Sequence, residues 1–236
     1  MLILAFDTTS ENGGVAIYRD GDCLAVVANQ GPANVFSVTL FEMVDRLLVQ
    51  ARLDLRAIDL FGVANGPGSF TGIRVGLAAA LAWAKAFDRP VQGISVLEAM
   101  VEAAQPQTAV AVPILDARRG EFYLGVFRRA PVGGGEPFQP EGEGWVLKPH
   151  ALGAFLEGLV REGGAVTCLA RQHDQVVQGL AESLPRSLKW QLVPGILVGP
   201  IARLALRAQR EGKLQESSQL DAYYIRRPDA ELNWRG

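Results

Sequence analysis

Leu2-Ile3-Leu4-Ala5-Phe6-Asp7-Thr8-Thr9-Ser10 opens the chain, and Val110-Ala111-Val112-Pro113-Ile114-Leu115-Asp116-Ala117-Arg118-Arg119-Gly120 opens its second half. Each stretch is a short apolar run that closes on an aspartate and turns polar. Each is followed by another apolar run, Val15 to Tyr18 in the first case and Phe122 to Phe127 in the second. Asp7 and Asp116 therefore occupy matching places in a unit that occurs twice. Self-similarity of this kind points to a duplicated α/β architecture.

Working outward from the first copy, Arg19-Asp20-Gly21-Asp22 is a turn signal with Asp-Gly at its centre, and Cys23 to Ala28 is a third strand-like run. Three such runs joined by tight turns read as an antiparallel meander. Asn34 to Gln50 reads as a helix, Ile58 to Ala64 as a strand, Phe70 to Phe87 as a long helix, Val91 to Ile94 as a strand, and Ser95 opens a helix to about Ala104. Strands that alternate with helices imply a mixed sheet with parallel members. In the second half, Pro131 to Gly144 reads as a mobile Gly/Pro loop, His150 to Arg161 as a helix, Val166 to Ala170 as a strand and Pro200 to Gly212 as a helix. An aromatic and basic tail from Ala222 reads as an extended, docked segment. The expected division is an N-terminal lobe, 1–104, and a smaller C-terminal lobe, 105–236, which holds the loop, the last helix and the tail.

The composition bounds the function. With 236 residues, 49% hydrophobic and 20% charged, the chain can bury a sizeable core. A net charge of -2 argues against gripping nucleic acid mainly through overall charge. Two cysteines, Cys23 and Cys168, build neither a disulfide framework nor a multi-cysteine metal site. No apolar run reaches the roughly 20 residues of a membrane span, and the N-terminus lacks a basic n-region. A soluble cytoplasmic protein is the expectation.

Gly66-Pro67-Gly68-Ser69-Phe70-Thr71-Gly72-Ile73-Arg74-Val75-Gly76-Leu77 joins a strand to a helix. Free N–H groups at such a helix start attract anions. The loop nevertheless lacks the Lys-Ser/Thr of a P-loop, and its glycines miss the dinucleotide-binding spacing. Ser69 reads as the helix cap. Gly72, Gly76 and Ala80 recur every four residues and line one face with small side chains. That face suits close approach of another helix, either the one at 34–50 or its copy in a second chain. The 34–50 helix is apolar nearly all round, with Phe36, Leu40, Val44 and Leu47 among its candidates for a partner or dimer interface. On this reading a bulky residue at Gly76 blocks association and leaves the monomer folded.

Asp7 and Thr8 suit either a phosphate-proximal turn or an Asx turn satisfied by its own backbone. Asp116, with Arg118 and Arg119, reads equally as a surface ion-pair cluster. The only histidines, His150 and His173, have no partner at metal-ligand spacing. No nucleophile-elbow motif supports a hydrolytic triad.

Leu4-Ala5-Phe6-Asp7-Thr8-Thr9-Ser10, the Gly66–Leu77 block and Asp116-Ala117-Arg118-Arg119-Gly120-Glu121-Phe122-Tyr123 together resemble the signatures of the bacterial TsaB (YeaZ) family. The likeness runs from residue 1 to about 127 and resumes weakly at Tyr224 to Glu231. It implies a duplicated actin-like (ASKHA, ribonuclease H-like) fold. It also implies a cytoplasmic role in making threonylcarbamoyladenosine beside the tRNA anticodon. The family member is a non-catalytic partner of the TsaD subunit, paired through the first two helices. The TsaE ATPase joins them, and a homodimer forms when the protein is alone. The chain then has no cofactor of its own, ATP or ADP belongs to the complex, and tRNA is met through the complex. Asp7, Thr8, Gly66, Gly68, Ser69, Asp116 and Arg118 become the family-motif positions where a nucleotide contact would fall. Where relatives carry a His-Ser pair at the start of the first helix, this chain has Phe36-Ser37. Two other roles remain open on the residues alone: a glycoprotease-like peptidase homologue and an independent actin-like ATP-binding protein.

Overall fold

The computed structural model describes residues 1–29, 31, 35–130, 138–162, 165–172, 174–184 and 188–225. His173 and the tail beyond residue 225 lie outside the described residues, as does the first half of the loop read over 131–144.

The chain forms two compact units, Met1–Ala99 with Gly195–Tyr223, and Met100–Pro194 with Tyr224–Gly236. The first begins with β1 (Leu2–Asp7), β2 (Gly14–Arg19) and β3 (Asp22–Ala28), the expected antiparallel meander. Then come α1 (Phe36–Ala51), β4 (Leu60–Gly66), α2 (Phe70–Phe87), β5 (Val91–Ser95) and α3 (Val96–Ala104). β4 runs parallel to β1, and β5 parallel to β4, giving the sheet order β3-β2-β1-β4-β5.

The second unit repeats this plan. β6 (Val110–Asp116) pairs antiparallel with β7 (Phe122–Leu124). The run read as one strand over 122–127 breaks there, and β8 (Phe127–Arg129) pairs instead with β9 (Phe138–Pro140), a strand inside the stretch expected to be loop. β10 (Trp145–Leu147) pairs antiparallel with β7. α4 (Pro149–Arg161) leads to β11 (Val166–Arg171), parallel to β6. α5 (Gln175–Ser183) and β12 (Lys189–Val193), neither of them expected, complete the order β10-β7-β6-β11-β12. Antiparallel, antiparallel, parallel, parallel is the pattern of both sheets. Asp7 and Asp116 each close the central strand, so the architecture is the duplicated actin-like one.

The last helix corrects the expected boundary. α6 (Val198–Arg210) packs on β1, β2, β4 and β5 of the first sheet and belongs to the first unit. Its apolar stripe, with Ile201, Leu204 and Ala205 buried, is the reason. A Cβ on Gly62 would stand 3.2 Å from Ala205 Cβ, so that point of β4 faces α6. The next residue, Val63, faces α2, because a Cβ on Gly76 would lie 3.4 Å from it. Successive strand residues point to opposite sides, so α6 and α2 cover opposite faces of the sheet. α2 is also long and apolar enough to cross a membrane, with mean hydropathy 1.2 over 18 residues, yet here it packs on β4.

The second unit's core includes Val112, Leu124, Leu152, Leu156, Cys168 and Val177. Burial pushes the Cys168 thiol up to about 12, whereas Cys23 is exposed. Thiolate is the reactive form. A disulfide reagent at pH 8 is therefore expected to label Cys23 in the native protein and Cys168 only after denaturation. Two equally fast thiols in the native state would contradict this packing.

Candidate functional site

Asp7 is fully buried at the end of β1, and its Oδ1 accepts from the Thr9 N–H at 2.8 Å and the Thr9 hydroxyl at 2.6 Å. This is the backbone-satisfied Asx turn. The Thr8 hydroxyl donates to the Gly72 carbonyl at 2.7 Å. The Ser69 N–H donates to the Thr9 carbonyl at 2.7 Å, and the Ser69 hydroxyl caps α2 by accepting from the Gly72 N–H at 3.3 Å. Asp7, Thr8, Gly66, Gly68 and Ser69 are thus brought together, but the turn and the Gly-rich loop are packed directly on each other. A Cβ on Gly68 would sit 2.5 Å from the Thr9 carbonyl oxygen. Three N–H donors at the start of α2 are used within the chain: Ser69 N–H on Thr9, and Gly72 and Ile73 N–H on Ser69.

In the second unit, Asp116 Oδ1 accepts from the Arg118 N–H at 2.7 Å, an Asx turn matching that at Asp7. The Asp116 N–H donates to Asp174 Oδ2 at 3.2 Å, and Asp174 also caps α5 through the Val177 N–H at 3.0 Å. Arg118 and Arg119 adopt φ of 61° and 57°. Two consecutive non-glycine residues in the left-handed region cost about 1 kcal/mol or more each.

The expected interface residues are corrected. Phe36, Leu40, Leu47 and Ala80 are fully buried and Val44 nearly so, all inside the first unit. Gly72 and Gly76 are also buried, and what they approach is not a helix: added Cβ atoms would collide with the Thr8 carbonyl oxygen and the Thr8 hydroxyl. Phe36 packs beneath Gly13, whose added Cβ would meet its ring at 2.8 Å.

The missed residues lie on the other side of the same helix. At 100° per residue, Phe36, Leu40, Met43, Val44 and Leu47 form one stripe of α1, and Val38, Phe41 and Val49 form a second on the opposite side. The second stripe faces out, with Val38 79%, Phe41 54% and Val49 78% exposed. Phe41 meets Trp83 of α2 edge-on, with ring centroids 5.6 Å apart. At the start of α2, Phe70 is 42% exposed and carries the Arg74 guanidinium 3.9 Å above its ring. α1 therefore presents an outward apolar stripe, and such surfaces mark interaction sites. The all-round apolar composition was the signal. Among the described residues, no three His, Cys, Asp or Glu side chains converge to hold a metal ion.

Comparison with known proteins agrees with the motifs. The family model of tRNA N6-adenosine threonylcarbamoyltransferase, TsaD, matches residues 32–134. The tRNA threonylcarbamoyladenosine biosynthesis protein TsaB of Escherichia coli is 30% identical over 164 residues, 69% of this chain and 69% of that protein. TsaB of Bacillus subtilis is 35% identical over 130 residues, covering 54% of this chain and 56% of the relative, so that match spans about half of each. A crystal structure from Pseudomonas aeruginosa, described as an uncharacterized protein with similarity to peptidase YEAZ, superposes with a TM-score of 0.72 at 25% identity. It covers 95% of this chain and 99% of that one. With its paired Asp-closed units, its Gly-rich loop locked on Thr8 and Thr9, and these relatives, the chain belongs to the TsaB family, related to TsaD.

Proposed function

We propose that this chain is the non-catalytic partner of a TsaD-type transferase that adds a threonylcarbamoyl group to adenosine next to the anticodon of tRNA. The observation that carries the reading is the outward apolar stripe of α1, Val38, Phe41 and Val49, in a chain of this family. Its physical role is to hold a transferase subunit by apolar burial, at about 25 cal/mol per Å² of apolar surface removed from water. In the absence of that subunit the same surface joins two copies of this chain. A TsaE-type ATPase completes the assembly, any ATP or ADP requirement belongs to it, and its setting is the bacterial cytoplasm.

The test is a drop-out reconstitution with the transferase, the ATPase, a threonylcarbamoyl-AMP synthase, tRNA, ATP, threonine and bicarbonate. Modified adenosine is expected only when this chain is present. Val38→Asp/Val49→Asp changes two exposed positions, so thermal stability is expected to shift little. Buried in an interface, two unpaired carboxylates cost several kcal/mol. Association with the transferase subunit is expected to fall at least 100-fold, and product formation with it. Full product without the chain, or with the double variant at wild-type affinity, would refute the reading.

A further inference from the structure

β5 is an outer strand of the first sheet, in the order β3-β2-β1-β4-β5. α2 and α6 both pack against it. Its sequence, Val91-Gln92-Gly93-Ile94-Ser95, carries no charge. A strand of this kind with a bare edge offers its free backbone groups to a strand of another chain, and folded proteins guard such edges. The segment that follows α6 covers this one. Gly212, at φ 66°, ends α6, and the Lys213 N–H donates to the Ala208 carbonyl at 2.8 Å.

Residues 213–223 then run across β5 to the end of β4. The Gly93 N–H donates to Gln215 Oε1 at 3.3 Å, and the Gln215 N–H donates to Gln92 Oε1 at 3.1 Å. Side-chain amides thus stand where the peptide groups of an added strand would. Leu220 seats on Gly93, where an added Cβ would lie 2.5 Å from Leu220 Cδ1, so the glycine makes room for the segment. At the end of β4, the Tyr223 N–H donates to the Asn65 carbonyl at 2.8 Å and Asn65 Nδ2 donates to the Asp221 carbonyl at 3.3 Å. The attachment is nevertheless slight. Every residue from Gln215 to Gln219 is exposed, and Leu220 is the single buried side chain of residues 213–223. Segments with few buried apolar contacts open locally, well below the free energy of global unfolding.

We propose that residues 213–223 are a releasable guard on the edge of β5. Closed, the guard keeps that edge from pairing with the same edge of a second copy of this chain. It opens at Gly212 while the sheet beneath it stays folded, and opening bares the Gly93 N–H. Two identical edges meet around a two-fold axis, which sets them antiparallel and joins two sheets into one. The guard is a different surface from the outward stripe of α1, and it stands whether or not the functional reading above holds.

The test begins with native-state hydrogen exchange of the full chain. The Gly93 and Tyr223 amides are expected to exchange together, about 100-fold faster than the amides of β1, at rates that low urea hardly changes, because release exposes little surface. Leu220→Asp puts a charge in place of the one buried anchor and is expected to speed both amides a further 30-fold or so. Association is then read by light scattering in the Val38→Asp/Val49→Asp background, which removes the α1 stripe from the comparison. There Leu220→Asp is expected to associate as concentration rises, with the Gly93 amide protected again in the associated form. Exchange of Gly93 and Tyr223 only together with the β1 amides overturns the proposal. So does loss of the far-UV circular dichroism of Leu220→Asp, since a releasable guard does not hold the sheet. A variant that stays monomeric with Gly93 bare, or that associates with Gly93 still bare, overturns it as well.

Discussion

Gly72→Ala is expected to destabilise the protein by about 3 kcal/mol, although the substitution favours helix formation. Alanine gains about 1 kcal/mol over glycine inside a helix. At this position the new methyl would collide with the carbonyl oxygen of Thr8, a backbone atom with nowhere to move. The Thr8 hydroxyl is bonded back to the Gly72 carbonyl at 2.7 Å, so the turn and the helix cannot separate without losing that buried bond. Overpacking of a fixed site costs about 1–3 kcal/mol, and the lost hydrogen bond adds to it. The clash therefore outweighs the propensity. A urea titration monitored by tryptophan fluorescence measures the difference. A midpoint equal to or above that of the wild type would mean that α2 starts farther from β1 than its hydrogen bonds indicate. The same geometry reverses the expectation for Gly76→Leu. Its Cβ meets the Thr8 hydroxyl and Val63, so the variant is expected to unfold before association can be measured.

Gly72 and Gly76 show where a sequence stops informing. Small residues every four positions announce that something approaches the helix closely, but they do not say what. Here it is the Asx turn after β1, not a second helix. α1 has the same ambiguity in another form. Two apolar stripes on opposite sides of one helix look alike in sequence, and only the sheet decides which is inside. Phe36, Leu40, Val44 and Leu47 went in and Val38, Phe41 and Val49 stayed out. The duplicated fold was legible because each copy carries a strand, an aspartate at its end and a polar turn, and both aspartates do close central strands. α6 was legible as a helix but not as a member of the first unit, because chain order does not say which sheet a late helix returns to. α5 and β12 were missed because they are short, nine and five residues: the strand is Lys-Trp-Gln-Leu-Val at a sheet edge, with only Val193 buried. Phe36, which a resemblance alone marks as a departure, serves the core beneath Gly13.

Trp83→Ala is expected to cost about 4 kcal/mol, the usual range for truncating a large buried aromatic. Trp83 is 8% exposed and sits among three phenylalanines. Phe6 of β1 meets it edge-on at 5.7 Å, Phe61 of β4 lies tilted at 6.0 Å, and Phe41 of α1 meets it edge-on at 5.6 Å. Two of these rings belong to the core and one to the outward apolar surface, so Trp83 joins what holds the fold to what the fold presents. Aromatic pairs contribute about 0.5–1.5 kcal/mol beyond area burial. Trp83→Phe is therefore expected to cost less than Trp83→Ala and to keep most of the contact. A double-mutant cycle of Trp83→Leu, which removes the ring, with Phe41→Ala, read by urea denaturation, is expected to give a coupling near 1 kcal/mol, because the rings are in direct contact. The same cycle read as affinity for the transferase subunit is expected to couple as well, since Phe41 needs its backing to stay in place on the surface. Coupling in stability with strict additivity in affinity would show that the partner does not use Phe41. The outward stripe would then have to act through Val38 and Val49 alone.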